Sequence, residues 1–396
     1  MKQTTRRPSG FGWGLLIGLI CAGCAAGWAT PSAGQQPDLL AQFDAAIGRW
    51  KQAAKDAILA RQQYVVCEQH EAEQIAETWT KAVQLGREQY DLAIRLASQI
   101  VEQSPEQFTP DVASLLSSAI TTSYDSGDYE TAAQLSDKIL SSAAQSPPSI
   151  LSLRVLTAYA LNDFENCKIF LERYKQLGVP LMEQMKLIDR HLDNLMVAWQ
   201  REQALRAEES ERDDLPRVRL VCDVDGQNEV ILELFEDSAP RNVANFLALV
   251  KRGFYDNLTF HQVLTHIAAI SGSPGGDGAE DPPYLVRGEA DSPNARHSFR
   301  GAVAMASLRN GNLHGTQFYI ALAPSVDNSA DATIIGRVIS GMDVINRLNI
   351  THVSNDKKKT FDRIDGVPAS KILKVEVIRD RGHDYQPEPI GGMPGG

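Results

Sequence analysis

Residues that could bind a metal, act as nucleophiles or cradle a phosphate are scattered along this 396-residue chain. Neither the cysteines nor the eight histidines have the spacing of a metal site. The glycine-rich segment 271–283 has no Gly-x-Gly-x-x-Gly pattern and no following Lys-Ser/Thr pair, so we expect a surface loop there. We therefore expect no metal and no cofactor. The five cysteines are Cys21, Cys24, Cys67, Cys167 and Cys222.

The spacing of the apolar residues predicts the strands and the helix that position the polar side chains. Residues 230–235 alternate as in a strand, which follows a hairpin turn at Asp225-Gly226. Pro240 suits the first turn of a helix that Gly253 ends, and Val243, Phe246, Leu247 and Val250 form its apolar stripe. Gln317 and Tyr319 fall on one face of a later strand, opposite the apolar residues 318, 320 and 322. The sequence thus predicts a sheet that presents an amide and a phenol on the face away from its core.

Four sequence blocks resemble, in order, the cyclophilins, a family of peptide-binding β-barrels that isomerise Xaa-Pro bonds. The resemblance covers about residues 217–379, a length typical of one domain. It implies a closed antiparallel β-barrel with two helices and no cofactor. The blocks are LELFEDSAPRNVANFLALVKRGFYDNLTFHQV (232–263), GAVAMAS (301–307), GTQFYIALAP (315–324) and IIGRVISGMDVINRL (334–348).

The resemblance also assigns the site. Where the family has Phe-His-Arg, this chain has Phe260-His261-Gln262, so Gln262 stands at the position of the arginine that donates to the prolyl nitrogen. The family's pocket phenylalanine, methionine and backbone-binding glutamine correspond to Ile267, Ala268 and Ile270. The other substrate-binding positions correspond to Ala306, Ser307, Gln317, Tyr319, Asn328 and Ala332.

Two hypotheses follow, because the scaffold positions survive while much of the site does not. The first is a peptidyl-prolyl cis-trans isomerase that acts on exported proteins at a reduced rate. The alternative is a non-catalytic peptide-binding or scaffold protein of the cell envelope. In either case the partners are proline-containing peptides or proteins. Since isomerisation moves no proton, His261 is expected to be structural.

The first residues resemble a bacterial export leader, with Lys2, Arg6 and Arg7 ahead of a short apolar run. Ala22-Gly23-Cys24 is similar to the end of a lipobox, which makes Cys24 a candidate for lipidation, although Cys21 stands where that pattern prefers leucine. A conventional cut near residue 29 and an uncleaved anchor are the alternatives. We expect an exported, periplasmic or cell-envelope protein, with a membrane tether as one option.

The sequence of residues 38–212 predicts a series of successive helices. Three segments align on Tyr90, Tyr129 and Phe164, each followed three residues later by Ala or Cys. They resemble tetratricopeptide repeats, in which such an aromatic and small residue start the second helix of each hairpin. A helical bundle without a peptide groove is the alternative. Such a region is a candidate site for a protein partner. The net charge of −11 argues against nucleic acid as a partner.

The predicted organisation is multidomain, with α-helical hairpin repeats before the barrel. Residues 1–29 form the leader and 30–37 a linker. Residues 38–212 form the helical domain. Its last helix runs from residue 182, and we expect the charged run after residue 200 to be a solvated spacer. Residues 217–379 form the cyclophilin-like domain, and 380–396 a disordered tail.

Overall fold

The computed structural model describes residues 38–142, 147–278, 283–307, 312–326, 332–353, 361–363 and 367–390. The predicted leader 1–29, the linker 30–37 and Cys24 lie outside these residues. Within the described ranges, no helix is long and apolar enough to span a membrane. The described chain divides into two compact units, one comprising 38–122 and 131–153 and the other comprising 123–130 and 154–390.

The helical region predicted for residues 38–212 is confirmed. Its first helix is capped by Asp38, whose Oδ1 accepts a hydrogen bond from the Ala41 amide at 3.0 Å. A short 3-10 helix, Pro105–Gln107, follows the second helix. The helices are α1 Leu39–Val66, α2 Ala72–Gln103, α3 Pro110–Asp125, α4 Tyr129–Ser142, α5 Pro148–Ala160, α6 Phe164–Gln176 and α7 Glu183–Arg212.

The repeat-like spacing corresponds to helix starts at two of its three positions. Tyr129 begins α4 and Phe164 begins α6, as predicted. Tyr90 instead lies inside the 32-residue helix α2, which runs without a break through the position where a hairpin turn was expected. The small residues that follow the three aromatics are all buried.

Residues from 217 onward form a curled antiparallel sheet, and we call this part of the chain the sheet domain. Its strand order is β11-β1-β2-β8-β6-β7-β4-β3, with β5 paired to β7, and β9 and β10 form a separate pair. Two helices accompany the strands, α8 Pro240–Lys251 and α9 Met342–Asn346. The strands are β1 Arg217–Asp223, β2 Gln227–Leu234, β3 Gln262–Leu264, β4 Ala268–Ser271, β5 Val286–Arg287, β6 Ala302–Ser307, β7 Leu313–Ala321, β8 Thr333–Ser340, β9 Thr351–Val353, β10 Phe361–Arg363 and β11 Lys371–Arg379.

The apolar face of α8 and one face of the sheet enclose the main core. The predicted stripe of α8, which includes Val243, Phe246 and Leu247, is buried there, and so is Cys222 of β1. Period-2 alternation in the strands places every second side chain in this core and the intervening side chains on the opposite face of the sheet. Part of that opposite face is also covered, because Ala302, Ala304, Ala321 and Ile334 belong to a second, smaller buried cluster.

The sheet ladder does not close along its length in the described residues, so the predicted closed barrel is not confirmed. Its terminal strands are β3 and β11. They are connected by one isolated bridge, between Thr259 and Lys371, just before β3 begins. What the structure establishes is a curled sheet in antiparallel order.

The charged end of α7 is only partly solvated, although its sequence predicted a solvated spacer: most of its residues are exposed, but two glutamates are not. Glu202 and Glu209 are only 4% and 8% exposed. Both carboxylates bind the guanidinium of Arg296, at 2.7 Å and 2.5 Å. A buried carboxylate needs an oppositely charged partner that also forms hydrogen bonds. Arg296 is that partner, and the local sequence of α7 does not reveal it.

Residues 380–390 were predicted to be disordered, but the structure packs them against the sheet domain. Tyr385 is 6% exposed and joins the main core. The Ile390 amide donates to the Leu285 carbonyl at 2.8 Å, and Arg381 binds Asp237 at 2.6 Å. One aromatic and one arginine with preformed partners are enough to order a segment that is otherwise polar. Residues 391–396 lie outside the described chain.

Candidate functional site

Four residues opposite one another on neighbouring strands form a line across the outer face of the sheet. Gln262 of β3 is opposite Ile270 of β4, Ile270 is opposite Tyr319 of β7, and Tyr319 is opposite Ala304 of β6. Opposed residues in antiparallel strands share a face. The adjacent residues of each strand, such as Val263 and Phe318, belong to the main core. We call Gln262, Ile270, Tyr319 and Ala304 the outward row.

Gln262 lies half-buried at the free end of the outward row. Its side-chain amide makes no hydrogen bond to any residue that the structure describes. The amide can therefore donate to a ligand without first breaking a bond within the protein. Because a carboxamide carries no charge, its hydrogen bond is weaker than one from a guanidinium.

The predicted pocket residues lie beside Gln262, in and next to β4. Ile267 precedes the strand with its side chain 62% exposed. Ala268 is 7% exposed and lies opposite both Leu264 and Ala321. Ile270 separates Gln262 from Tyr319 within the outward row and has no hydrogen-bonding group. The arrangement gives apolar contact next to the amide donor, but no side-chain partner for a peptide backbone at position 270.

Tyr319 and Gln317 share the outer face of β7, as their spacing predicted, yet both already have partners. The Tyr319 side chain is hydrogen-bonded to that of Ser298. Burial raises the pKa of Tyr319, and this hydrogen bond opposes the shift. The Gln317 amide donates to the Gly278 carbonyl at 3.1 Å and so holds the loop that follows β4.

The same loop begins with a backbone contact that requires glycine. Gly272 has φ of +98°, and a Cβ atom there would lie 2.4 Å from the Thr316 carbonyl oxygen. Any other residue would push the end of β4 away from β7 and would disturb the strand that carries Ile270.

The remaining predicted site residues are less closely grouped. Ala306 and Ser307 end β6 and are half-buried, and Ser307 lies opposite His314. Ala332 is packed against a small apolar cluster that contains Ala304. Asn328 lies outside the described residues. His261 is buried and immediately precedes β3; its structural role stays a prediction.

His314, to which the sequence assigned no role, is fully buried and bridges two strands. Its Nδ1 lies 3.1 Å from the Ala306 carbonyl oxygen, and its Nε2 lies 2.9 Å from the Thr333 hydroxyl. Burial lowers the pKa of His314. A neutral ring that donates from Nδ1 and accepts at Nε2 satisfies both partners. The ring therefore fixes the end of β6, where Ala306 and Ser307 lie.

Glu289 is a second residue that sequence reasoning missed. Its carboxylate accepts hydrogen bonds from the backbone amides of Arg241 and Asn242, at 3.1 Å and 3.0 Å, in the first turn of α8. An acidic group at a helix N-terminus satisfies free amides and complements the helix dipole. No local pattern indicates it, because Glu289 is nearly 50 residues away along the chain.

No group of three or more potential metal-binding side chains occurs in the part of the chain that the structure describes. The outward row likewise contains no nucleophile next to a base. Its chemistry is that of one neutral hydrogen-bond donor flanked by apolar surface, which suits non-covalent binding of a peptide.

The sheet domain is similar in sequence to known proteins. A family model described as cyclophilin type peptidyl-prolyl cis-trans isomerase/CLD matches residues 219–369. A relative from Aspergillus niger named "Peptidyl-prolyl cis-trans isomerase-like 1" is 32% identical over 155 residues, which are 39% of this chain and 91% of the relative. A Rhizopus delemar protein with the same name is 36% identical over 149 residues, which are 36% of this chain and 90% of that protein.

A solved Cryptosporidium parvum cyclophilin type peptidyl-prolyl cis-trans isomerase, in the presence of the dipeptide Ala-Pro, is 26% identical. It covers 41% of this chain and 99% of its own length, with a TM-score of 0.35. The chain itself shows a curled antiparallel sheet with a hydrogen-bond donor and apolar residues on the face opposite its main core. Through residues 219–369 the chain belongs to the cyclophilin-type peptidyl-prolyl cis-trans isomerase family. The two curated relatives are fungal, so they give no support to a bacterial origin.

Proposed function

We propose that the chain isomerises Xaa-Pro bonds of exported proteins, at a rate that its altered site keeps low. The observation that carries the proposal is the Gln262 side chain, which lies in the outward row without a hydrogen bond to the described protein. A donor at this position is what the reaction needs.

The reaction requires a weaker amide resonance and no proton transfer. The barrier to rotation about the peptide bond is about 18–20 kcal/mol, because the C–N bond has partial double-bond character. A donor that binds the prolyl nitrogen withdraws its lone pair from the amide and stabilises the twisted transition state. The Gln262 amide can supply this hydrogen bond, but without the charge that would strengthen it.

Substrate affinity depends on the apolar residues beside the donor. Ile267 and Ala268 offer less surface than the phenylalanine and methionine that the family has at these positions. Each Å² of apolar contact that is lost weakens binding by about 25 cal/mol. We therefore expect a high KM as well as a low kcat.

A second function is favoured by two specific observations. The Gln317 amide is already bound to Gly278, and Ile270 offers no hydrogen bond to a peptide carbonyl. Both features reduce the number of hydrogen bonds available to a substrate backbone. They favour a non-catalytic protein that binds peptides weakly or serves as a scaffold.

The experiment that decides is exchange spectroscopy on an Ala-Pro tetrapeptide with the full chain and with Gln262→Glu. This change keeps the side-chain size and replaces the amide donor by a carboxylate, which only accepts. We expect exchange above the uncatalysed rate in the native chain and background exchange in the variant. Gln227→Glu, at an exposed position of β2, adds the same charge away from the row and should leave the rate unchanged. Background exchange in the native chain would support the non-catalytic function.

The proposal includes closure of the sheet into a barrel. Two hydrogen bonds beside the Thr259–Lys371 bridge support it: the Phe260 amide donates to the Ser370 carbonyl at 2.9 Å, and the Ile372 amide donates to the Leu258 carbonyl at 2.8 Å. Slow amide exchange at Phe260 and Ile372, comparable to that in central strands, is the expected result. Exchange as fast as in exposed loops would count against closure.

The proposed location outside the cytoplasm rests on the leader-like sequence that ends at Cys24. Cell fractionation of the native chain and of Cys24→Ser tests it. We expect the native chain in the membrane fraction through lipidated Cys24, and the variant in the soluble exported fraction. Recovery of the native chain in the cytosolic fraction would refute the proposed location outside the cytoplasm. The helical region is proposed to hold a protein partner there.

A further inference from the structure

The turn between β3 and β4 carries Ile267, and it is held in an unusual backbone conformation. The Ile267 amide donates to the Leu264 carbonyl at 3.0 Å, which closes the turn. His266, immediately before Ile267, has φ of +64°, a left-handed conformation that is uncommon for residues other than glycine. Contacts made by the His266 ring can stabilise the turn in this form.

Two tyrosines of the helical segment 123–130 hold the His266 ring. Both belong to the same compact unit as the sheet. The Tyr124 ring is stacked on the imidazole with centroids 4.3 Å apart, and the Tyr129 hydroxyl lies 2.6 Å from His266 Nδ1. Burial lowers the pKa of His266, so the ring is neutral and its Nδ1 accepts the hydrogen bond from Tyr129. We call Tyr124, Tyr129 and His266 the clasp.

Arg300 connects the clasp to the other side of the turn. Its guanidinium lies 4.9 Å from the centre of the Tyr129 ring, and its Nη1 donates to the Leu322 carbonyl at 3.3 Å. The Leu322 amide in turn donates to the Ile267 carbonyl at 2.9 Å. Tyr129 is thus connected to the Ile267 backbone by two routes, one through His266 and one through Arg300.

We propose that Tyr129 is a positioning residue for the proline-binding pocket, because through His266 it holds the turn that presents the exposed side chain of Ile267 to the substrate. The inference rests on the proposed function, since it assigns Ile267 to the wall of the proline pocket. It gives segment 123–130 a part in substrate affinity. Tyr129 does not touch the substrate, so its removal should alter KM and leave kcat nearly unchanged.

The test is Tyr129→Phe in the full chain, which keeps the ring that contacts Arg300 and removes only the hydroxyl group. We expect KM for an Ala-Pro tetrapeptide to rise roughly two- to tenfold, as for the loss of one hydrogen bond. We also expect the Ile267 methyl resonances to shift in the peptide-free protein. Tyr174→Phe removes a buried hydroxyl group on α6 and serves as the matched control, with both quantities unchanged.

A second variant separates positioning from general stability. His266→Gly removes the imidazole while glycine tolerates the positive φ. If Tyr129 and His266 act through one hydrogen bond, the double variant Tyr129→Phe/His266→Gly should have the same KM as His266→Gly alone. A lower thermal midpoint for Tyr129→Phe with unchanged KM and unchanged Ile267 resonances would overturn the proposal. A native chain without exchange or peptide binding would refute the proposed function alone, and the Ile267 resonances would still decide whether Tyr129 positions the turn.

Discussion

Replacing Gln262 with arginine adds a cationic donor at the free end of the outward row. The position can accept the larger group, because its ladder partner is the uncharged Ile270 and small Ala268 lies on the same face. A guanidinium remains protonated when half-buried. Its hydrogen bond to the prolyl nitrogen would therefore carry a full charge into a partly desolvated site.

The expected gain follows from hydrogen-bond strengths. A hydrogen bond to a charged group contributes about 1.5–3 kcal/mol. Since about 1.4 kcal/mol corresponds to a tenfold change in rate, Gln262→Arg should raise kcat/KM roughly ten- to a hundredfold. Exchange spectroscopy on an Ala-Pro tetrapeptide measures this directly. Gln227→Arg, at an exposed position of β2, adds the same charge elsewhere and serves as control. Equal kcat/KM in native chain and Gln262→Arg, with peptide still bound, would refute the assignment of Gln262 to the donor position.

Three further changes test the packing that supports the site. Arg296→Met leaves buried Glu209 without a cationic partner and Glu202 with Arg206 alone, and should lower the free energy of unfolding by about 3–5 kcal/mol in urea titrations; a loss below about 1 kcal/mol would contradict a buried ion pair. Tyr385→Ala should cost about 3–5 kcal/mol by the same measurement, whereas no change would mean that the C-terminal segment does not pack on the core. The Arg381 guanidinium lowers the pKa of Asp237 to about 2, so this pair stabilises the fold above about pH 4, the usual unfolded value, and the stabilisation is lost as the pH falls towards 2. Asp237→Asn should flatten that part of the stability profile, and an unchanged acid profile would contradict the pairing.

Much of the sheet domain could be predicted because its signals are local. The alternation in β2, the apolar stripe of α8 and the turn residues before β2 depend on neighbours within a few positions. The assignment of Gln262 followed from a motif, Phe260-His261-Gln262, that stands in the same order as in the family.

The errors have a common cause, which is pairing between distant residues. The charged end of α7 was expected in solvent because its partner, Arg296, is nearly 90 residues away from Glu209. The same holds for Tyr385, whose place in the core is formed by strands far back in the chain. The clasp on His266 could not be foreseen either, because a lone histidine in a turn gives no sign that two helical tyrosines contact it.

The central claim is that the Gln262 amide is the donor to the prolyl nitrogen in a proline-binding face whose scaffold is retained. A crystal structure of the full chain with bound Ala-Pro peptide tests it most directly. The account predicts the proline ring against Ile267 and Ala268, with Gln262 Nε2 at about 3 Å from the prolyl nitrogen, a normal hydrogen-bond distance. A peptide bound at another face, or a Gln262 side chain turned away from the proline, would contradict it.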